Sequence, residues 1–120
     1  MNKKWKILII DDDEDIRQSF QALLREFGHT VAVAPNGKVG LKELTHENYD
    51  IIILDIFMPE KDGIETIQEI KQQFPQTKII ATSGEEWRGF LLKTMKSLGA
   101  DYILEKPIIS EQLLDIINVF

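Results

Sequence analysis

Five short aliphatic runs, each followed by a longer stretch with helical spacing, limit what this chain can fold into more than any other feature. The runs are Lys6–Ile10, Thr30–Ala34, Asp50–Leu54, Lys78–Thr82 and Asp101–Leu104, rich in β-branched side chains and short enough to be strands. Behind the first run, Ile16, Phe20, Leu23, Leu24 and Phe27 form an apolar stripe that stops at Gly28, a residue suited to ending a helix. A second helix is predicted behind Asn36 with Val39, Leu41 and Leu44 inward, and a third with Ile64, Ile67 and Ile70 before Pro75. The fourth carries Trp87, Leu91, Met95 and Leu98 before Gly99, and the last follows a Ser110 cap with Leu113 and Ile117 inward.

Five strand–helix units in succession predict an α/β fold: one doubly wound, five-stranded parallel sheet with five helices on its two faces. Parallel strands need a crossover, and each crossover helix must bury its stripe on the sheet. Burial on both faces accounts for the continuous runs ILII at Ile7–Ile10 and IIIL at Ile51–Leu54. In open sheets of this kind the functional crevice lies at the carboxyl ends of the strands, where strand order reverses. With 120 residues, 43% of them hydrophobic, and no Pro/Gly/Ser-rich linker, residues 1–120 are expected to form one domain without an output domain.

A net charge of −6 argues against direct contact with nucleic acid or anionic membrane. Without cysteine the chain has no disulfide, thiolate metal site or thiol nucleophile, which fits a reducing, cytoplasmic setting. The apolar run behind the basic start MNKKWK ends in acid after Ile10, too short for a signal peptide or a membrane span.

The chemistry sits where the runs end. Asp11 and Asp12 follow the first, Asp55 the third, Ser83 the fourth, and Lys106 and Pro107 the fifth. With the first and third strands adjacent, three carboxylates converge, and such a group demands a cation. Oxygen ligands alone suit a hard ion, so Mg²⁺ is expected, with Mn²⁺ able to replace it. A hydroxyl and an ammonium beside a metal-bearing acidic pocket suit a phosphoryl group, with Asp55 as nucleophile.

The segments ILIIDDD, DIIILDIFMPEKDG, IIATSG and GADYILEKP, in this order, resemble the receiver domains of two-component response regulators, the CheY-like family. The resemblance covers essentially the whole chain and implies the flavodoxin-like strand order 2-1-3-4-5. It implies that Asp55 is the phosphoacceptor and that Asp12 and Asp55 ligate Mg²⁺ by side chain. Asp11 would hold a metal-bound water, and the Phe57 carbonyl would complete the protein ligands. Ser83 takes the family's Thr/Ser place, chosen over Thr82 because it ends the strand run and precedes the small Gly84. Lys106 is the phosphate-contacting lysine, Pro59 and Gly63 match the loop after the acceptor, and the peptide before Pro107 is expected to be cis. A sensor histidine kinase or phosphotransfer protein is the implied donor, docking along the first helix near Arg17 and Phe20, and a downstream protein the implied target.

The chain departs from the family where an aromatic switch residue commonly stands, three before the lysine: Ile103 is there, with Tyr102 facing the other side of the strand. Phe57 and Glu85 occupy positions that, in the family this chain resembles, affect access of water to the phosphoryl group. Surplus apolar residues Phe90 and Leu92 suggest a partner or homodimer surface formed by the fourth helix, fifth strand and fifth helix. Asp13 is read as a helix cap, with Glu14 and Asp15 favoured by the helix dipole, and His29 and His46 as surface or turn residues. Three other functions compete: a receiver-like module that binds partners without phosphorylation, a flavodoxin-like electron carrier, whose flavin phosphate the acidic DDDED loop would repel, and a phosphatase of the haloacid-dehalogenase type. The latter wants a second carboxylate two residues after its nucleophile, where this chain has Phe57.

Overall fold

Parallel strands in the order β2-β1-β3-β4-β5 form the sheet: β1 (Lys6–Ile10), β2 (Thr30–Ala34), β3 (Ile51–Asp55), β4 (Lys78–Ser83) and β5 (Tyr102–Glu105). The structure, a computed structural model, describes residues 3–56, 63–84 and 96–120. Helices α1 (Glu14–Glu26), α2 (Gly37–His46) and α3 (Gly63–Gln73) follow the first three strands, and a C-terminal helix (Ser110–Val119) follows β5. Residues 96–98 are helical and lead to Gly99, but most of the expected fourth helix lies outside the described residues, with Trp87, Phe90, Leu91, Leu92 and Met95. Among the described residues no helix is long and apolar enough to cross a membrane.

Side chains alternate across the sheet and sort the core into two layers. Leu8, Ile10, Ile52, Leu54, Ile79 and Ala81 face one side, with Leu44 of α2 and Ile67 and Ile70 of α3. Ile7, Ile9, Ile51, Ile53, Ile80 and Leu104 face the other, against Phe20 and Leu24 of α1 and Leu113 and Ile117 of the C-terminal helix. All of β3 is buried, and full burial of each Ile or Leu contributes about 1.5–3 kcal/mol. The strand that carries Asp55 is thus held rigidly from both sides.

Local signals in the sequence account for the helix boundaries. The Asp13 carboxylate accepts from the backbone N–H groups of Asp15 and Ile16, and Asn36 Oδ1 accepts from Val39 N–H at 2.9 Å. Gly28 closes α1 with φ +91°, a conformation that disfavours any side chain. Four expectations are corrected. Val39 is exposed, because α2 turns Gly37, Gly40 and Leu44 to the sheet and Gly40 rests directly on the Ile10 side chain. Phe27 is also exposed, since it occupies the cap position where the chain leaves α1. Ser110 is the first helical residue rather than the cap; Ile109 holds that position and offers no side-chain hydrogen bond. His29 is buried, its Nδ1 accepting from Trp5 N–H at 3.0 Å, whereas His46 is exposed at the end of α2.

Candidate functional site

The sheet delivers its acidic residues to one edge because β1 and β3 are neighbours, with Ile10 in register with Leu54. Asp11 directly follows β1, and its N–H donates to Ala34 O at 3.1 Å, which extends the β2 pairing by one residue. Its carboxylate is divided between two partners: Oδ1 accepts from Asp13 N–H at 2.9 Å, and Oδ2 lies 3.2 Å from Lys106 Nζ. The Arg17 guanidinium, one turn into α1, donates to the Asp11 carbonyl at 2.8 Å and ties the helix to this turn.

Asp55 ends β3 in register with Thr82, and Ile56 N–H donates to Thr82 O at 3.1 Å, so the pairing with β4 persists beyond the acid. Its Oδ2 is 3.2 Å from the same Lys106 Nζ. Lys106 is anchored in turn by its own N–H, which donates to Ser83 O at 2.7 Å, and the following peptide to Pro107 is cis. Asp11, Asp12 and Asp55 each offer a carboxylate oxygen, and these oxygens lie within 4.8 Å of one another. Asp11 and Asp55 are buried, while Asp12 is exposed.

The electrostatics follow from this crowding. Burial pushes the Asp11 carboxyl above the usual carboxylate range, against the opposing pull of the Asp13 N–H and Lys106. Burial also disfavours charge on Lys106, but Asp55 and Asp11 outweigh it and hold its ammonium above the ordinary lysine range. One lysine cannot neutralise three carboxylates, two of them buried. An all-carboxylate donor set with one open, solvent-facing member fits a hard divalent cation that keeps part of its water shell.

The structure therefore brings together Asp11, Asp12, Asp55 and Lys106. Ser83 is buried as the last residue of β4, in register with Glu105 and one residue beyond the position level with Asp55. Thr82, the hydroxyl not chosen from sequence, shares the face of Asp55. Phe57, Pro59 and Glu85 lie outside the described residues. Ile103 packs with the α2–α3 layer and Tyr102 with the other, where its ring meets Phe120 edge to face at 5.4 Å between centroids. Sequence reasoning missed the grip of Arg17 on Asp11; its signal is an arginine one helical turn behind the strand-terminal acids.

Residues 7–118 match the family model described as "Response regulator receiver domain". The probable C4-dicarboxylate response regulator DctR of Bacillus subtilis is 36% identical over 115 residues, covering 92% of this chain and 50% of that protein. The transcriptional regulatory protein RprY of Bacteroides fragilis is 30% identical, covering 94% of this chain and 48% of that protein. The chain thus spans about half the length of these two relatives. Among solved structures, chemotaxis protein CheY4 of Vibrio cholerae superposes with a TM-score of 0.88 at 29% identity, covering 95% of this chain and 96% of that one. A receiver domain protein from Clostridium thermocellum gives 0.86 at 33% identity, covering 95% and 91%.

Proposed function

The chain belongs to the response regulator receiver family, phosphoacceptor signalling modules rather than enzymes, and from that premise we propose that Asp55 is its phosphoacceptor. The observation that carries this reading is the position of Asp55: buried at the end of a rigid strand, within an acidic cluster, and paired with Lys106.

A histidine kinase or phosphotransfer protein supplies the phosphoryl group. An Asp55 carboxylate oxygen bonds to phosphorus as the donor's N–P bond breaks, and the electron pair of that bond leaves with the donor imidazole. In-line attack needs a nucleophile that does not wander, which the doubly buried β3 provides. Lys106 neutralises charge on the phosphoryl oxygens, and Ser83 donates a hydrogen bond to one of them. Mg²⁺, held by Asp12, Asp55 and the Phe57 carbonyl, with Asp11 through water, would supply charge neutralisation between carboxylates and phosphoryl oxygens.

The donor docks on α1, where Asp15, Ile16, Ser19 and Phe20 line a groove of about 580 Å³ that reaches Lys106 and Pro107. The added charge on Asp55 then shifts the balance between two surface conformations, read by a downstream protein or by a second copy of the chain in the cytoplasm. The surface for either runs through β5, the C-terminal helix and the segment before them.

Intact mass after incubation with acetyl phosphate, with and without Mg²⁺, tests the acceptor. Wild type should gain one phosphoryl group only with Mg²⁺, and Asp55→Asn none. Gain by the variant equal to wild type would overturn the assignment, and no gain by wild type would move the protein to phosphorylation-independent binding.

A further inference from the structure

Thr82 is 1% exposed, and its Oγ1 is buried without a hydrogen-bond partner among the described residues. Nothing in the site's chemistry described so far uses it. Its place in the sheet does connect it to that chemistry. Ile80 faces the α1 layer, so Thr82, two residues on, faces it too, as does Asp55 two residues after Ile53. The two residues are in direct register, about 4.8 Å apart as neighbouring parallel strands are.

Lys106 reaches across the end of the same strand. It follows β5, yet its Nζ lies 3.2 Å from carboxylates beyond β4, on Asp55 of β3 and Asp11 after β1. In the order β1-β3-β4-β5 its stem must cross the end of β4, where Thr82 is the residue in register with Asp55. An ammonium carries three N–H donors, and the two acids account for two of them.

We propose that the Thr82 hydroxyl is the acceptor that Lys106 takes up as the phosphoryl group transfers to Asp55. Thr82 is then a positioning residue, acting through Lys106, and the inference rests on the reading of Asp55 as acceptor. A valine would fill the same volume without stranding a polar atom, so the hydroxyl is a cost in the resting state. Converting the Asp55 carboxylate to an acyl phosphate moves the negative charge that Lys106 faces from the carboxylate oxygens to the phosphoryl oxygens. The ammonium then turns to the phosphoryl oxygens, and its retraction toward β4 brings an N–H over Thr82 Oγ1. The hydroxyl fixes the direction in which the lysine presents its remaining protons.

Thr82→Val and Thr82→Ser test this, each by thermal melting of the unphosphorylated protein and by the rate of phosphoryl gain from acetyl phosphate with Mg²⁺. Thr82→Val should melt at or above the wild-type temperature and accept phosphate about tenfold more slowly, the effect of losing one hydrogen bond from a charged donor. Thr82→Ser should keep close to the wild-type rate. A Thr82→Val rate equal to wild type would overturn the proposal. So would a lower melting temperature or failure to fold, since either means that the hydroxyl is paired at rest. Failure of wild type itself to gain phosphate is a different result, and overturns the acceptor assignment instead.

Discussion

Lys106 and Asp55 form an ion pair across an intervening strand: Nζ and Oδ2 are 3.2 Å apart, although β5 and β3 are not neighbours. The lysine therefore serves the centre of the sheet from its edge. Lys106 is partly exposed, so the pair is moderately screened, but its two partners are almost fully buried.

Lys106→Met should consequently affect chemistry more than stability. Loss of the ammonium leaves two buried carboxylates without their cation, at about 1–3 kcal/mol in urea unfolding without added metal. Phosphoryl gain from acetyl phosphate should fall at least tenfold, because no other described cation reaches both acids. A variant with wild-type phosphorylation kinetics would show that the pair is structural.

The acidic cluster should make stability depend on divalent cations. Because burial raises the folded-state Asp11 pKa, the carboxyl favours folding below its unfolded pKa, and that contribution is lost as pH rises through the folded value. Burial makes ionisation of this carboxyl costly, and a bound cation would relieve that cost. Mg²⁺ at about one hundred times its Kd should add about 2.7 kcal/mol at pH 7.5, read as a rise in melting temperature. Asp11→Asn should melt above wild type in EDTA and gain less from Mg²⁺. Equal shifts in both proteins would place the ion elsewhere.

Gly63 begins α3 pressed against the backbone of Ile56, the residue after Asp55, so that a Cβ there would overlap Ile56 Cα and carbonyl. Backbone cannot swing aside as a side-chain tip can. Gly63→Ala should cost about 1–3 kcal/mol in urea unfolding and slow phosphorylation by shifting the end of β3. Gly40→Ala meets only the Ile10 side chain, whose terminal methyl can rotate, and should cost less.

Much of this was legible from sequence, for physical reasons that differ by residue. A fully buried parallel strand has to be continuously apolar, so IIIL marked β3 and the acid at its end. Asp13 and Asn36 announced their helices because short side chains that accept from free backbone N–H groups have few other uses there. Val39 was misread because α2 approaches the sheet through Gly37 and Gly40, and glycine adds nothing to an apolar stripe. The reach of Lys106 across β4 and the facing of Thr82 were not legible. They depend on register between strands distant in sequence, which no local pattern encodes.

His29 shows what a tertiary contact does to a residue read as surface. It is buried between β1 and β2, and its Nδ1 accepts a hydrogen bond from Trp5 N–H, which requires that nitrogen to be unprotonated. Burial, helped by the nearby Lys4 charge, lowers its pKa below the usual 6.5. The unfolded chain therefore binds a proton more readily than the folded one, and stability must fall as pH drops through 6.5 toward the folded value. Urea unfolding at pH 7.5 and 5.5 should show a lower midpoint in acid for wild type. His29→Asn, whose amide oxygen can accept from Trp5 without titrating, should flatten the difference; an unchanged pH dependence would assign it to the carboxylates.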